Sequence, residues 1–420
     1  MGFSYNASLA GLNANSNALS VAGNNIANSN TIGFRSSSIT FADVFTNARG
    51  ARLNGAGNAI QIGNGVQTAA IHTNHEQGNL NESADPLHAA VQGNGFFVVR
   101  GSDGSFGYTR AGDFAVNKQG YIVSSSGGQV QGYMATNGAI TPGTPLTALK
   151  LPLGQTLAPQ MTTQATLRMN LDSQSPTGAV FNGTAQVYDS LGKERTMNLT
   201  FTRLANNSFD VTAKVDGVAA QLSSNGGAAA ATANFTFDAN GTLTAPTSLA
   251  VVPNQAALGG AVLPSVAVNL RETNPDGTPG AFNITSYARP SAVAATTQDG
   301  YAAGELSGAS VDQGGNIFGS FTNGQTRIIG QYGLATFNSP EGLTRLGGSL
   351  FGETLSSGQA TVGSPSTGGR GSIAGGFLEQ SNVNITNEFV KLIEAQRGFQ
   401  ANSRVITTLN QTFQDVLQIV

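Results

Sequence analysis

Apolar residues recur every seven positions at both ends of the chain. Near the start, Tyr5, Leu12, Leu19 and Ile26 form such a series, with Leu9 and Ala22 in neighbouring positions. At the other end Ile385, Leu392, Phe399, Ile406, Phe413 and Val420 repeat it, beside a second series of Phe389, Gln396, Ser403, Asn410 and Leu417. The period is helical, and its sevenfold form predicts helices that pack lengthwise with slight supercoiling. Asn384 or Thr386 can cap the second helix, and Glu388 stands in its first turn, where the helix dipole favours a carboxylate. Residues 1–34 hold eight Asn, five Ser and four Gly, so the first helix is weak in isolation. Narrow apolar stripes on otherwise uncharged polar helices suit helices stacked among copies of themselves, or a helical hairpin within one chain.

Between the ends the pattern is that of strands. Phe96 to Val99, Phe106 to Tyr108, Phe114 to Val116 and Tyr121 to Val123 are short apolar bursts separated by Gly-containing turns. A turn signature recurs at Asn117-Lys118-Gln119-Gly120, Asp238-Ala239-Asn240-Gly241 and Asp312-Gln313-Gly314-Gly315. Asn and Asp side chains bond their own backbone there, and Gly tolerates positive φ. Further strands are predicted at 185–190, 195–204, 208–215 and 233–238, with 225–233 as a loop. Pro-bearing residues 138–155 and the stretch 281–293 read as boundaries. The predicted fold is multidomain: long coiled-coil-like terminal helices plus mainly antiparallel β domains, the outer one inserted in the inner one. Residues 1–34 and 376–420 form the paired helices, 35–80 and 350–375 connectors, 81–147 and 289–349 an inner-middle β-rich domain, and 148–288 the inserted outer domain.

Length agrees, since 420 residues at about 150 per domain give two to four domains. Charged residues are only 10% and the net charge is -3, which gives no electrostatic reason to bind nucleic acid or an anionic membrane. The absence of Cys removes thiol nucleophiles, disulfides and cysteine metal sites. The start lacks the basic and continuously apolar regions of a secretory signal, and no stretch is apolar enough for a membrane-spanning helix, so membrane insertion is not expected. His72, His75 and His88 are the three histidines, without HExxH spacing, and no GxSxG elbow accompanies them. No catalytic residue, cofactor or metal is predicted. Arg110, Arg327 and Arg345 are isolated charges better suited to salt bridges or interface contacts than to anion binding.

Residues Leu9 to Phe45 resemble the opening of the bacterial flagellar rod and hook axial proteins. The motif residues are Asn24, Asn25, Asn28, Thr31, Gly33 and Phe34. Segments 93–99, 108–114 and 131–133 resemble the same family's internal core. Residues 378–420 resemble its C-terminal motif through Ser381, Asn382, Glu388, Gln396, Arg397 and Asn402. Arg35 and Asn384 depart mildly from it, where family members commonly carry Lys and Asp. The long middle region and residues 331–354 place the chain nearer the hook branch than the shorter rod branch. A distal rod protein is the alternative reading, and a secreted β-rich adhesin or glycan-active enzyme the second.

The resemblance implies an extracellular structural subunit that self-assembles into a curved, flexible tube between rod and filament. Such a tube transmits motor torque as a universal joint and encloses an export channel lined by the terminal helices. Implied assembly residues are Tyr5, Leu9, Leu12, Leu19, Ile26, Ile385, Phe389, Leu392, Phe399, Ile406, Phe413 and Leu417. Implied partners are further copies of the chain, the distal rod, hook cap, hook–filament junction and hook-length control proteins, and the flagellar type III export apparatus. Export without a cleavable signal peptide follows from the same resemblance.

Overall fold

Among the described residues, two α-helices bracket a body of strands, turns and two short 3-10 helices. In the computed structural model, which describes residues 2–46, 62–141, 143–274, 276 and 278–419, α1 covers Gly2–Ala27 and α2 covers Ile385–Ile419. The start of α2 is fixed by Asn384, whose Oδ1 accepts the Asn387 N–H at 3.1 Å while its carbonyl accepts Glu388 N–H at 3.0 Å. Asn384, not Thr386, is therefore the cap. Among the described residues no helix is long and apolar enough to cross a membrane.

The chain divides into two units. The first comprises residues 1–153, 308–319 and 327–420. Here α1 is followed by a two-stranded antiparallel ribbon, β1 (Ser37–Thr46) and β2 (Ile62–Thr73), within a stretch whose composition marks a connector. Between this ribbon and α2, the unit is built mainly from antiparallel strands. Phe96–Arg100 pairs with Phe106–Thr109 and with Gln129–Met134. The short strands Leu80–Glu82 and Ala89–Gln92 pair with Phe377–Glu379 and Ser372–Gly375, so the chain's late segment is stitched to its early one. Phe97, Phe114 and Tyr332 form an aromatic centre, with ring centroids 4.9 to 5.6 Å apart and all three fully buried. Edge-to-face and tilted packing of this kind adds to the burial of the rings themselves.

The second unit comprises residues 154–307 and 320–326. Its central strands run Val180–Tyr188, Glu194–Arg203 and Ser208–Val215 in an antiparallel meander. Alternation decides which face is inside: Met197, Leu199 and Phe201 are buried while Thr196 and Thr200 point outward. Phe201 meets Phe235 edge-on at 5.7 Å in the core. Buried Arg195 lies 2.8 Å from buried Asp189 and 3.0 Å from Asp216, and also donates to the Leu258 carbonyl at 3.0 Å. The charges taken from water are thus paired and hydrogen-bonded.

All three predicted turns share one construction. At 117–120, 238–241 and 312–315 the Gly N–H returns to the Asx carbonyl at 2.9 to 3.1 Å, and the Asx Oδ1 accepts the N–H four residues on at 2.8 to 2.9 Å. The glycines have φ of 88°, 76° and 71°, which a side chain would resist. Asp189 to Gly192 makes a fourth such turn.

Candidate assembly site on the terminal helices

The two helices lie antiparallel, and three side-chain contacts fix their register. Asn25 Nδ2 donates to Glu388 Oε2 at 3.0 Å. Asn15 lies over Gly398, where a Cβ would come within 2.5 Å of its Oδ1. Asn402 lies over Gly11, where a Cβ would come within 2.8 Å of its Nδ2. Steps of ten and four residues along α1 are matched by steps of ten and four along α2, so the pairing slips nowhere between these contacts.

Small residues make this approach possible. Ser8, Ala14, Ala22 and Ala395 are buried along the pair. Each Asn also ties to its own helix: Asn15 Nδ2 donates to the Gly11 carbonyl at 2.7 Å, and Asn402 Nδ2 to the Gly398 carbonyl at 3.0 Å. The amides therefore enter the seam with a hydrogen bond already made, which removes the penalty of burying them bare.

The long apolar side chains lie elsewhere on the helices. On α1 the series Tyr5, Leu12, Leu19 and Ile26 lies roughly a quarter-turn from the seam, at about 100° per residue. Tyr5 and Leu9 are 38% and 41% exposed, and Ile385, Phe389 and Phe413 are 44% to 49% exposed. Leu12, Leu19, Ile26, Leu392, Phe399 and Ile406 are half-buried. Leu417 is on α2, with its side chain outside the described residues. With Val390, Ile393 and Val405 also exposed, eight large apolar side chains among the described residues of one helix pair are left in water, which is unusual for a single chain.

Below the helices the chain is clamped. Asn25 holds Ser37 by two bonds, its Oδ1 accepting the N–H at 2.9 Å and its Nδ2 donating to the carbonyl at 2.8 Å. Asn382 does similar work on the other side, accepting Ser36 N–H at 2.7 Å and donating to the Asn74 and Glu76 carbonyls at 3.0 and 2.9 Å. Behind them Glu379, wholly buried, receives Arg35 at 2.8 Å, Arg110 at 3.3 Å and the Gly78 N–H at 2.8 Å. Arg35 Nη1 also donates to the Glu76 carbonyl at 2.7 Å, and Arg110 Nη2 to the Gly93 carbonyl at 2.6 Å. Burial brings the Arg110 pKa down to about 10, against the opposing pull of Glu379. Gly33, at φ 66°, sits so close to Ala111 that a Cβ would meet its backbone N at 2.4 Å.

The remaining motif residues are placed around this clamp. Asn28 donates to the Asn24 carbonyl at 3.0 Å and accepts from Thr31 Oγ1 at 3.1 Å, turning the chain out of α1. Arg345 stacks over the Phe34 ring at 5.1 Å, and Ser381 Oγ accepts Val383 N–H at 3.4 Å before α2 begins. Gln396 and Arg397 are exposed on α2. Sequence reasoning missed Glu379 and the seam residues Gly11, Asn15, Ala395 and Gly398. The matching Gly-x-x-x-Asn spacing at 11–15 and 398–402 was the available signal for the seam.

Of the histidines, His88 Nδ1 is 2.6 Å from Ser83 Oγ and His72 lies on β2 opposite Ser38. His75 packs against Phe96 and Phe351 at 5.8 and 5.6 Å. Burial and the nearby Arg35 and Arg110 charges lower its pKa to about 4, so its ring is neutral at pH 7.

Comparison with known proteins covers nearly the whole chain. Residues 6–35 match the family described as flagella basal body rod protein, and 374–419 match the flagellar basal body rod FlgEFG protein C-terminal family. Residues 90–166 match the flagellar hook protein FlgE/F/G D1 domain, and 153–301 the flagellar basal body protein FlaE D2 domain. The flagellar hook protein FlgE of Escherichia coli is 33% identical over 99% of both chains, and that of Treponema pallidum 33% identical over 98% of both. The crystal structure of Helicobacter pylori flagellar hook protein FlgE2 superposes with a TM-score of 0.52 at 13% identity, covering 71% of this chain and all of that one, a likeness of fold. Matched along its length by these relatives at up to 33% identity, the chain belongs to the flagellar hook protein FlgE family.

Proposed function

We propose that this chain is the subunit of a curved extracellular tube, the flagellar hook, and that its work is structural rather than catalytic. The observation that carries the reading is the helix pair itself: a seam of small residues leaves Tyr5, Leu9, Ile385, Phe389 and Phe413 facing outward. Neighbouring copies would cover these side chains, each contributing roughly 0.6–1.5 kcal/mol, since each is already more than half covered within its own chain. Leu12, Leu19, Ile26, Leu392, Phe399, Ile406 and Leu417 complete the apolar set in this reading.

In the tube the paired helices line the export channel and carry torque, because packed helices are stiff along their axes. Residues 148–288 act as the inserted outer domain, sliding against neighbours through polar, wet contacts as the tube bends. The distal rod, hook cap, hook–filament junction and hook-length control proteins meet this subunit at the tube's ends and during growth. The flagellar type III apparatus delivers it unfolded, without a cleavable signal. Before assembly the helices are largely unformed, since helices rich in polar residues with a narrow apolar stripe gain most of their stability from packing.

Electron microscopy of tubes from cells whose own hook subunit is replaced tests the proposal. The full chain is expected to give curved tubes, and chains lacking residues 1–30 or 380–420 none. Asp in place of Leu12, Phe399 or Ile406 should abolish tubes while the β units stay folded. Straight, rigid tubes would instead favour a distal rod subunit.

A further inference from the structure

A groove of about 370 Å³ runs between β1 and α2, floored by α1, all within the first unit. Ala18 and Val21 of α1 make an apolar patch on its floor and Ile39 and Phe41 of β1 one on its side wall, beside the polar Asn15, Ser37 and Ser38. Phe41 is 46% exposed there. The opposite wall is charged, formed by Lys391 and Glu394 of α2, with Lys391 held 2.7 Å from the buried Glu388. The volume takes a bulky side chain or two, not a whole helix.

The same helix carries the complementary shape on its other side. Ile385, Phe389 and Ile393 are 45%, 49% and 47% exposed and are spaced by four, so they form one ridge. At about 100° per residue this ridge lies roughly 150° around α2 from the groove-lining residues. Arg397, exposed and one turn beyond Ile393, continues the ridge with a positive charge. Groove and ridge therefore face away from each other on a single chain and cannot satisfy one another within it.

We propose that Phe389 and Ile393 of a second copy seat in this groove, against Val21, Ile39 and Phe41. The arrangement is heterologous: one face of each copy receives and the opposite face donates, which builds an open helical array rather than a closed dimer. Arg397 of the incoming ridge brings the charge that Glu394 on the groove wall attracts, which sets the sense of docking. β1 thereby acts as part of the assembly surface, gripping a neighbour's helix beside the chain's own. The inference rests on the tube reading given above and specifies which surfaces join adjacent copies.

The chain has no Cys, so engineered pairs can be read without background. Two single variants, Phe41→Cys and Ile393→Cys, are co-expressed with an excess of the Cys-free chain in cells lacking their own hook subunit, and the isolated tubes are oxidised. Disulfide-linked dimers are expected from tubes containing both variants and from neither variant alone, because bridging needs Cα atoms within about 7 Å. A second pair, Ile39→Cys with Phe389→Cys, guards against a local distortion at one position. Normal tubes that yield no dimer from either pair overturn the groove docking and leave the tube reading intact. Failure of the unmodified chain to form any tube overturns both.

Discussion

Asn402 lies across Gly11 as Asn15 lies across Gly398, so each helix supplies one glycine and one asparagine to the same two contacts. The two Gly-x-x-x-Asn stretches meet antiparallel and stand in for each other. Replacing Gly398 by Val puts branched carbon where the Asn15 amide rests. The expected cost is about 1–3 kcal/mol of overpacking, seen as loss of hydrogen-exchange protection in both helices of assembled tubes. Unchanged protection would mean that the helices do not approach through this pair.

The buried carboxylate at Glu379 pairs with two buried guanidiniums, and its removal strands them. Glu379→Gln is expected to destabilise the first unit by about 3–5 kcal/mol in denaturant unfolding of the full chain. The transition of the second unit, which does not contain Glu379, should not move.

His75 makes the first unit sensitive to mild acid. Its folded pKa is about 4 against 6.5 when unfolded, so between these values the unfolded chain binds the extra proton. Stability is therefore fullest above pH 6.5, falls as pH drops towards 4, and changes little further from this group below that. Allowing for partial solvent screening, the loss is on the order of 1–2 kcal/mol. The charges of Arg35, Arg110 and Arg345 bear on the ring and oppose its protonation. His75→Gln should remove this part of the pH slope, measured by urea midpoints from pH 4 to 7.

In the second unit, Phe201→Ala opens a cavity beside Phe235 and is expected to cost about 3–5 kcal/mol. Tubes should still form at low temperature, because no assembly residue of the terminal helices lies in that unit. Their loss would show that the second unit also carries the polymer.

The turns were legible in sequence because an Asx followed three residues on by Gly encodes its own local hydrogen bonds. The helices were legible through their apolar period. The seam was not, because Gly, Ala and Asn contribute almost nothing to a hydrophobic pattern, and the long side chains that do make the pattern lie beside the contact. Arg110 announced itself only as an isolated charge, since its carboxylate partner is 269 residues away. The β1–β2 ribbon was hidden by Gly63-Asn64-Gly65 at the start of β2 and by bulges at Thr40/Phe41 and Asp43/Phe45 that break strict alternation.

The bond from Asn25 to Glu388 joins residues 363 apart, near the greatest separation the chain permits. Every contact of α1 with α2 has this character, so closing the helix pair joins the two ends of the sequence and carries the loop-closure cost of nearly the whole chain. A chain that emerges from a narrow conduit with its first residue leading holds α1 single until almost the last residue is out. In the proposed tube, the channel wall would then be extended only by subunits that have arrived whole, and a truncated chain would exclude itself by having nothing to pair with.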